Sequence, residues 1–159
     1  MARTVNGLDE VRALAGQELG ESSWRTITQE QVNQFADVTD DHQFIHVDPE
    51  RAAATPFGTT IAHGFLTLSM LTHLSAGASA TPPDPAKYEG ILMGINYGFN
   101  KVRFVSPVKV GARIRARAVT VNAELKGNTV ETTRSFAIEI EGEEKPALVA
   151  DWLTRTVYA

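Results

Sequence analysis

Cysteine is absent from the 159 residues. Its absence excludes disulfides, thiolate zinc sites, iron–sulfur clusters and a cysteine nucleophile, and it fits a reducing compartment. Long apolar runs are also missing. The most apolar stretch, Ile61 to Leu74, falls short of the roughly 20 residues a bilayer helix needs and carries His63 and His73. The first 17 residues hold no apolar core of the secretory kind. There is no excess of basic charge: 15 Lys and Arg stand against 19 Asp and Glu, a net charge of −4, which argues against a dedicated nucleic-acid binder. No G-x-x-x-x-G-K-[ST], G-x-G-x-x-G or G-x-S-x-G occurs, so nucleotide cofactors and a serine elbow have no motif support. What is present is 43% hydrophobic and 21% charged residues, a globular balance. The expectation is one soluble, cytoplasmic domain over residues 1–159, since a domain averages about 150 residues.

The N-terminal half carries helix signals. Leu8 to Ala15 reads as a short helix and Trp24 to Ile27 as a strand. Thr28 to Gln31 reads as a capping box, with Val32, Phe35 and Ala36 on the apolar face of a helix ending near Val38. Asp48-Pro49-Glu50 is a second start, with Asp as N-cap and Pro at the first helical position. Gly64 to Ala76 is apolar nearly all round, which predicts a buried helix inside a curved sheet. Ser79–Tyr88, with Pro82, Pro83 and Pro85, reads as a connector.

Beyond that connector the apolar period becomes two. Ile91 to Phe104 is one strand region, with Gly90, Gly94 and Gly98 marking bends or close backbone approach. Val110, Ala112, Ile114, Ala116 and Ala118 alternate with Arg113, Arg115 and Arg117. Val130, Thr132, Phe136, Ile138 and Ile140 form another set, and Leu148 to Tyr158 reads as a further strand holding Trp152 and Tyr158 in the core. Turns fall at Lys126-Gly127-Asn128 and Glu141-Gly142-Glu143. The whole reads as an α+β fold, an antiparallel sheet wrapped round one helix.

Two polar clusters carry chemistry. The first is Thr39 to His46, T-D-D-H-Q-F-I-H, read as a loop between helices. Asp41 and His46 are five apart, about 140° on a helix, so only a turn brings both side chains to one point. A carboxylate and an imidazole on one water make a workable acid–base pair near neutral pH. The same residues also read as helix caps and a gap-filling histidine. His42 and His46 with Asp40 or Asp41 raise a metal reading, but the pattern is not H-E-x-x-H and lacks a third imidazole. The second cluster, Thr59 to Phe65, opens the buried helix. Helix N-termini offer free N–H groups, so an oxygen gaining negative charge would be stabilised there. Gly64 would allow close approach to the backbone; His63 would be a substrate contact or a histidine satisfied by a backbone group. The Arg113/Arg115/Arg117 stripe reads as a solvated strand face or a phosphate site.

Taken together, Phe35 to Ala52 and Ala62-His63-Gly64-Phe65-Leu66 resemble the MaoC-like, R-specific enoyl-CoA hydratase (hydratase 2) family. The family run is small-Gly-Asp-x-Asn-Pro-aliphatic-His after an aromatic residue. Asn96-Tyr97-Gly98 and Lys101 to Phe104 look like its next strand. The departures are Asp40 for glycine, Gln43 for asparagine and Phe44 for proline. The resemblance implies a hot-dog fold, with an antiparallel sheet around a long central helix, and a homodimer with an acyl pocket near the subunit interface. It implies reversible hydration of trans-2-enoyl thioesters, carried by CoA or acyl-carrier protein, to (3R)-hydroxyacyl thioesters. The catalytic pair falls on Asp41 and His46, with Gly64 and His63 at the oxyanion and substrate side, and no metal or organic cofactor. The spacing does not say which of the pair is acid and which base. The rivals are a hot-dog thioesterase and a non-catalytic acyl-thioester-binding subunit. An intact Asp/His pair, rather than a lone acidic residue on the helix, weighs against both.

Overall fold

The computed structural model describes residues 12–13, 15–78 and 90–159. The expected first helix, Leu8 to Ala15, and the connector Ser79–Tyr88 lie largely outside these. Strands β1 (Glu18–Glu21) and β2 (Arg25–Thr26) come first, then helices α1 (Gln29–Thr39), α2 (Phe44–Val47), α3 (Pro49–Ala53), α4 (Gly64–Ser69) and α5 (Leu71–Gly77). Strands β3 (Ile91–Phe104), β4 (Arg113–Lys126), β5 (Thr129–Ile140) and β6 (Leu148–Tyr158) complete the order. The strands form one antiparallel sheet in the order β1-β4-β5-β6-β3, with β2 also pairing β4. None of the described helices is long and apolar enough to cross a membrane.

The period-two pattern sets the sheet's inner face. Ala116 pairs Ile138 and Ile138 pairs Leu148; Ala118 pairs Phe136 and Phe136 pairs Ala150. All six are buried in one cluster with Leu71 and Leu74 of α5. Alanine on β4 opposite large residues on β5 leaves room for the helix to lie against β4. Each fully buried Leu or Ile there stabilises the fold by roughly 1.5–3 kcal/mol. The Gly127-Asn128 hairpin, with Gly127 at φ 66°, joins β4 to β5.

The central helical stretch differs from the expectation in one respect. It runs as α4 and α5, joined at Met70, which keeps right-handed helical angles. It is not buried all round: Leu71 and Leu74 face the sheet, while Phe65 is 67% exposed. Its all-round apolar pattern therefore serves two surfaces, the sheet on one side and an uncovered face on the other.

The outer face of β4 carries the arginine stripe, and every member is paired. Arg113 bonds Glu141 at 2.9 Å, Arg115 bonds Glu139 at 2.7 Å and contacts Glu21, and Arg117 reaches Glu18 at 3.3 Å and Glu139 at 3.5 Å. Trp24 lies under the Arg115 guanidinium at 4.5 Å. The stripe is a neutralised, solvated strand face. A groove of about 550 Å³ crosses this side of the sheet, lined by Lys101, Arg117, Ser135 and Asp151 among others. Its central polar pair is already satisfied, Ser135 donating to Asp151 at 2.5 Å.

Candidate active site

The capping box forms as its residues dictate. Gln31 N–H donates to Thr28 Oγ1 at 3.2 Å and Thr28 N–H donates to Gln31 Oε1 at 3.0 Å. Helix α1 ends one residue beyond the expected point, and Asp40 follows it in the left-handed conformation, φ 57°. This is the position where the hydratase motif has glycine. Aspartate is among the few residues that tolerate such an angle, which explains how the chain keeps the turn without glycine.

The stretch from Phe44 to Val47 is one helical turn rather than loop, and His46 sits inside it. Asp48 accepts from Arg51 N–H at 3.0 Å and starts α3 as its N-cap, with Pro49 first in the helix. The loop before α4 is stitched to this turn on one side and to the β3–β4 connection on the other. Ile61 N–H donates to Ile45 O at 3.0 Å, and Ala62 N–H donates to Val108 O at 2.7 Å. His46 and His63 are thereby brought together, although 16 residues lie between them in the sequence.

His46 is buried. Its Nδ1 lies 2.7 Å from the Ile61 carbonyl, which can only accept, so Nδ1 carries the hydrogen and Nε2 keeps its lone pair. Burial holds its pKa below the ordinary histidine value; the Ile61 bond opposes this, the nearby His63 imidazole adds to it and Asp41 works against it. His63 is 2% exposed and stacked on His46, with ring centroids 3.9 Å apart and planes at 25°. His63 Nε2 lies 2.9 Å from the Asp41 backbone carbonyl and 3.9 Å from its carboxylate Oδ2. The expected backbone satisfaction of His63 holds at Nε2 and fails at Nδ1, which is buried without a partner.

Ring nitrogens of both histidines and a carboxylate oxygen of Asp41 lie within 4.8 Å of one another. A gap of that size suits one bridging water. One nitrogen of each ring is already committed, His46 Nδ1 to the Ile61 carbonyl and His63 Nε2 to the Asp41 carbonyl, which leaves at most one per ring open to a ligand. His42, the other histidine of the metal reading, instead bonds exposed Asp37 at 2.8 Å, which raises its pKa.

Beside the pair lies a cavity of about 330 Å³ whose lining includes His46, Phe57, Ala62, Gly64, Thr67 and Phe104. Asp41 and His63 are not among its lining residues. Gly64 begins α4, and no side chain caps that helix start. The Phe104 ring covers the place of the missing Cβ at 3.0 Å, so glycine here admits a ring of the protein itself. Sequence reasoning missed Gln29. Its Nε2 donates to His46 O at 2.7 Å and its Oε1 accepts from the buried Thr60 hydroxyl at 2.5 Å. In the sequence it registers only as a residue inside the capping box.

The chain matches the MaoC like domain over residues 10–139. It belongs to the MaoC-like family. It is 52% identical over 156 residues to 3-hydroxyacyl-thioester dehydratase Z of Mycobacterium tuberculosis, covering 98% of this chain and 99% of that protein. It is 51% identical over 148 residues to nodulation protein N of Rhizobium meliloti, covering 92% and 88%. The (R)-specific enoyl-CoA hydratase of Rhodospirillum rubrum is 32% identical over 124 residues, covering 75% and 78%. Among solved structures, the monoamine oxidase regulatory protein of Archaeoglobus superposes with a TM-score of 0.73 at 25% identity, covering 91% of each chain. The fold is the hot-dog fold of this MaoC-like family.

Proposed function

We propose that this MaoC-like chain adds water reversibly across trans-2-enoyl thioesters, giving (3R)-hydroxyacyl thioesters. The observation that carries this reading is the fixed tautomer of His46 beside Asp41. With Nδ1–H held by Ile61 O, Nε2 is free to accept from a water that the neighbouring Asp41 carboxylate also binds. A histidine buried enough to resist protonation suits a base near neutral pH.

In the forward step, His46 Nε2 takes one water hydrogen while Asp41 holds the other, and the oxygen bonds to C3. The electron pair of the C2–C3 double bond moves toward the thioester, and its oxygen gains negative charge. The uncapped Gly64 N–H at the start of α4 is the donor for that oxygen. The hydrogen taken by His46 is then delivered to C2, so one water is consumed and both groups return to their first state. The apolar lining of the adjoining cavity, with Phe57 and Phe104, accepts the acyl chain. His63 enters this scheme beside the pair, outside the cavity lining.

The kinship with a 3-hydroxyacyl-thioester dehydratase and an (R)-specific enoyl-CoA hydratase supports this reading. A homodimer belongs to it as well. Strand β3 is a sheet edge of 14 residues with Leu92, Met93, Ile95 and Tyr97 exposed, and a second copy is the partner that would cover it. The absence of cysteine fits a cytoplasmic setting.

An assay with crotonyl-CoA tests the reaction. Loss of the enoyl absorbance with no free thiol is the expected result. Release of free thiol would make the chain a thioesterase, and neither signal would leave it an acyl-thioester-binding subunit.

A further inference from the structure

Four observations meet at His63, and the hydration step as written uses none of them. The side chain is almost completely buried. Its Nε2–H is given to the main-chain carbonyl of Asp41 at 2.9 Å. Its ring covers one face of His46 at 3.9 Å, while Phe35 closes on His63 at 5.0 Å and a 51° tilt. Its Nδ1 is buried without a partner. A buried nitrogen left unpaired costs stability. A phenylalanine or leucine would fill the same space without that cost, so packing alone does not account for an imidazole here.

We propose that His63 is a positioning residue that locks Asp41 and His46 into one unit, pinning the Asp41 main chain through Nε2–H and covering one face of the His46 ring. The inference rests on the hydration reading of the Asp41/His46 pair and deepens it. Asp41 lies in the loop after α1, and His46 lies in α2. Without a common support each would drift with its own element, and the 4.8 Å span that accommodates one water would not be kept. His63, at the start of α4, touches both. The tautomers interlock: Asp41 O fixes the hydrogen on His63 Nε2, and Ile61 O fixes the hydrogen on His46 Nδ1. Ile61 and His63 belong to the same loop, so the loop before α4 orients both rings. The titratable groups facing His46 are His63 from this loop and Asp41 from the loop after α1.

Two substitutions separate the two contacts. His63→Phe keeps a flat ring on His46 and removes the donor to Asp41. His63→Gln keeps an N–H where Nε2 stood and uncovers the His46 face. With crotonyl-CoA, His63→Phe should lower kcat by about 10–100-fold with KM within about threefold, since small displacements of reacting groups cost up to about that much. His63→Gln should lose much less kcat, and the acidic limb of its kcat/KM profile should move to higher pH as the His46 ring gains water. Should His63→Phe retain kcat within about twofold, or should both variants lose activity only in proportion to folded protein with the limb unmoved, the proposal is overturned. Imidazole 15N NMR on the unaltered chain provides a second decision, independent of turnover and of how the variants fold. His63 is expected as the Nε2–H tautomer and His46 as Nδ1–H; the reverse tautomer at His63 overturns the proposal. If the unaltered chain hydrates no enoyl thioester, the reaction assignment fails on that assay alone, and the NMR result still decides whether His63 holds the pair.

Discussion

The Thr60 hydroxyl donates to Gln29 Oε1 at 2.5 Å, and the far end of the same amide holds the His46 carbonyl. One buried hydroxyl thus reaches the histidine main chain through a single intermediary. Thr60→Val keeps the shape and deletes the donor. The expected cost is about 1–2 kcal/mol, because Gln29 Oε1 loses its partner in a half-buried place. That should lower Tm by a few degrees, and calorimetry on folded samples would show it. An unchanged Tm would mean water replaces the hydroxyl.

Asp41→Asn and His46→Gln should each reduce kcat by about 10²–10⁴-fold, the usual scale for a lost acid or base. The double variant should be little worse than either single one, because groups sharing one water act as a unit. Asp40→Asn should be mild, and Asp40→Gly milder still, since position 40 needs φ 57° and not a carboxylate. Asp40→Val should cost roughly 1–2 kcal/mol through the left-handed backbone. Single-turnover rates, with circular dichroism on each variant, check the set. An active Asp41→Asn beside a dead Asp40→Asn would shift the motif register by one residue.

Acid should destabilise the fold through His46. Its folded pKa lies below the unfolded value of about 6.5, so the unfolded chain takes up the proton first. The stability gained by keeping this ring neutral is present above about pH 6.5 and is lost as pH falls through the folded value. Tm measured between pH 7 and pH 5 should fall less steeply in His46→Gln than in the unaltered chain. Parallel curves would mean that His46 does not govern this range.

Much of this architecture is legible in the residues themselves. The Thr28 box, the Asp48-Pro49 start and the alternating strands rest on local backbone chemistry, and each appears where its residues put it. The Asp41/His46 pair is legible because a motif marks it. The His46–His63 stack is not, because it depends on the Ile61–Ile45 bond and on the seating of Ala62 against Val108, two long-range pairings with no local signature. The same holds for Phe104 over Gly64: a glycine announces space for something, and only the register of β3 decides what fills it. Phe65 misled the burial pattern because an apolar residue says it prefers cover, not which surface provides it.

Replacing Arg113, Arg115 and Arg117 together by alanine should leave kcat and KM for crotonyl-CoA within about threefold. Their charges are met by Glu18, Glu21, Glu139 and Glu141, so no cation is left over for a phosphate. The removed pairs are mostly exposed, and each contributes only about 0–1 kcal/mol. A large KM rise with crotonyl-CoA, absent with a thioester lacking the nucleotide, would reverse this reading.

Sedimentation at micromolar concentration should show a dimer. Ile95→Lys with Tyr97→Lys should shift it toward monomer, because charges on an exposed sheet edge oppose pairing with a second copy. A monomer in the unaltered chain would remove the β3 edge from the interface.

Strand β3 precedes β4 and β5 in the chain, yet its partner among the described strands is β6, which follows them both. During synthesis, its exposed leucine, methionine, isoleucine and tyrosine must wait while two further strands emerge and pair with each other. A nascent chain interrupted between residues 140 and 148 would therefore display a long unpaired β-strand edge. That interval is where a ribosome stall or an early release would drive these chains to aggregate, and where holding by a chaperone would matter most.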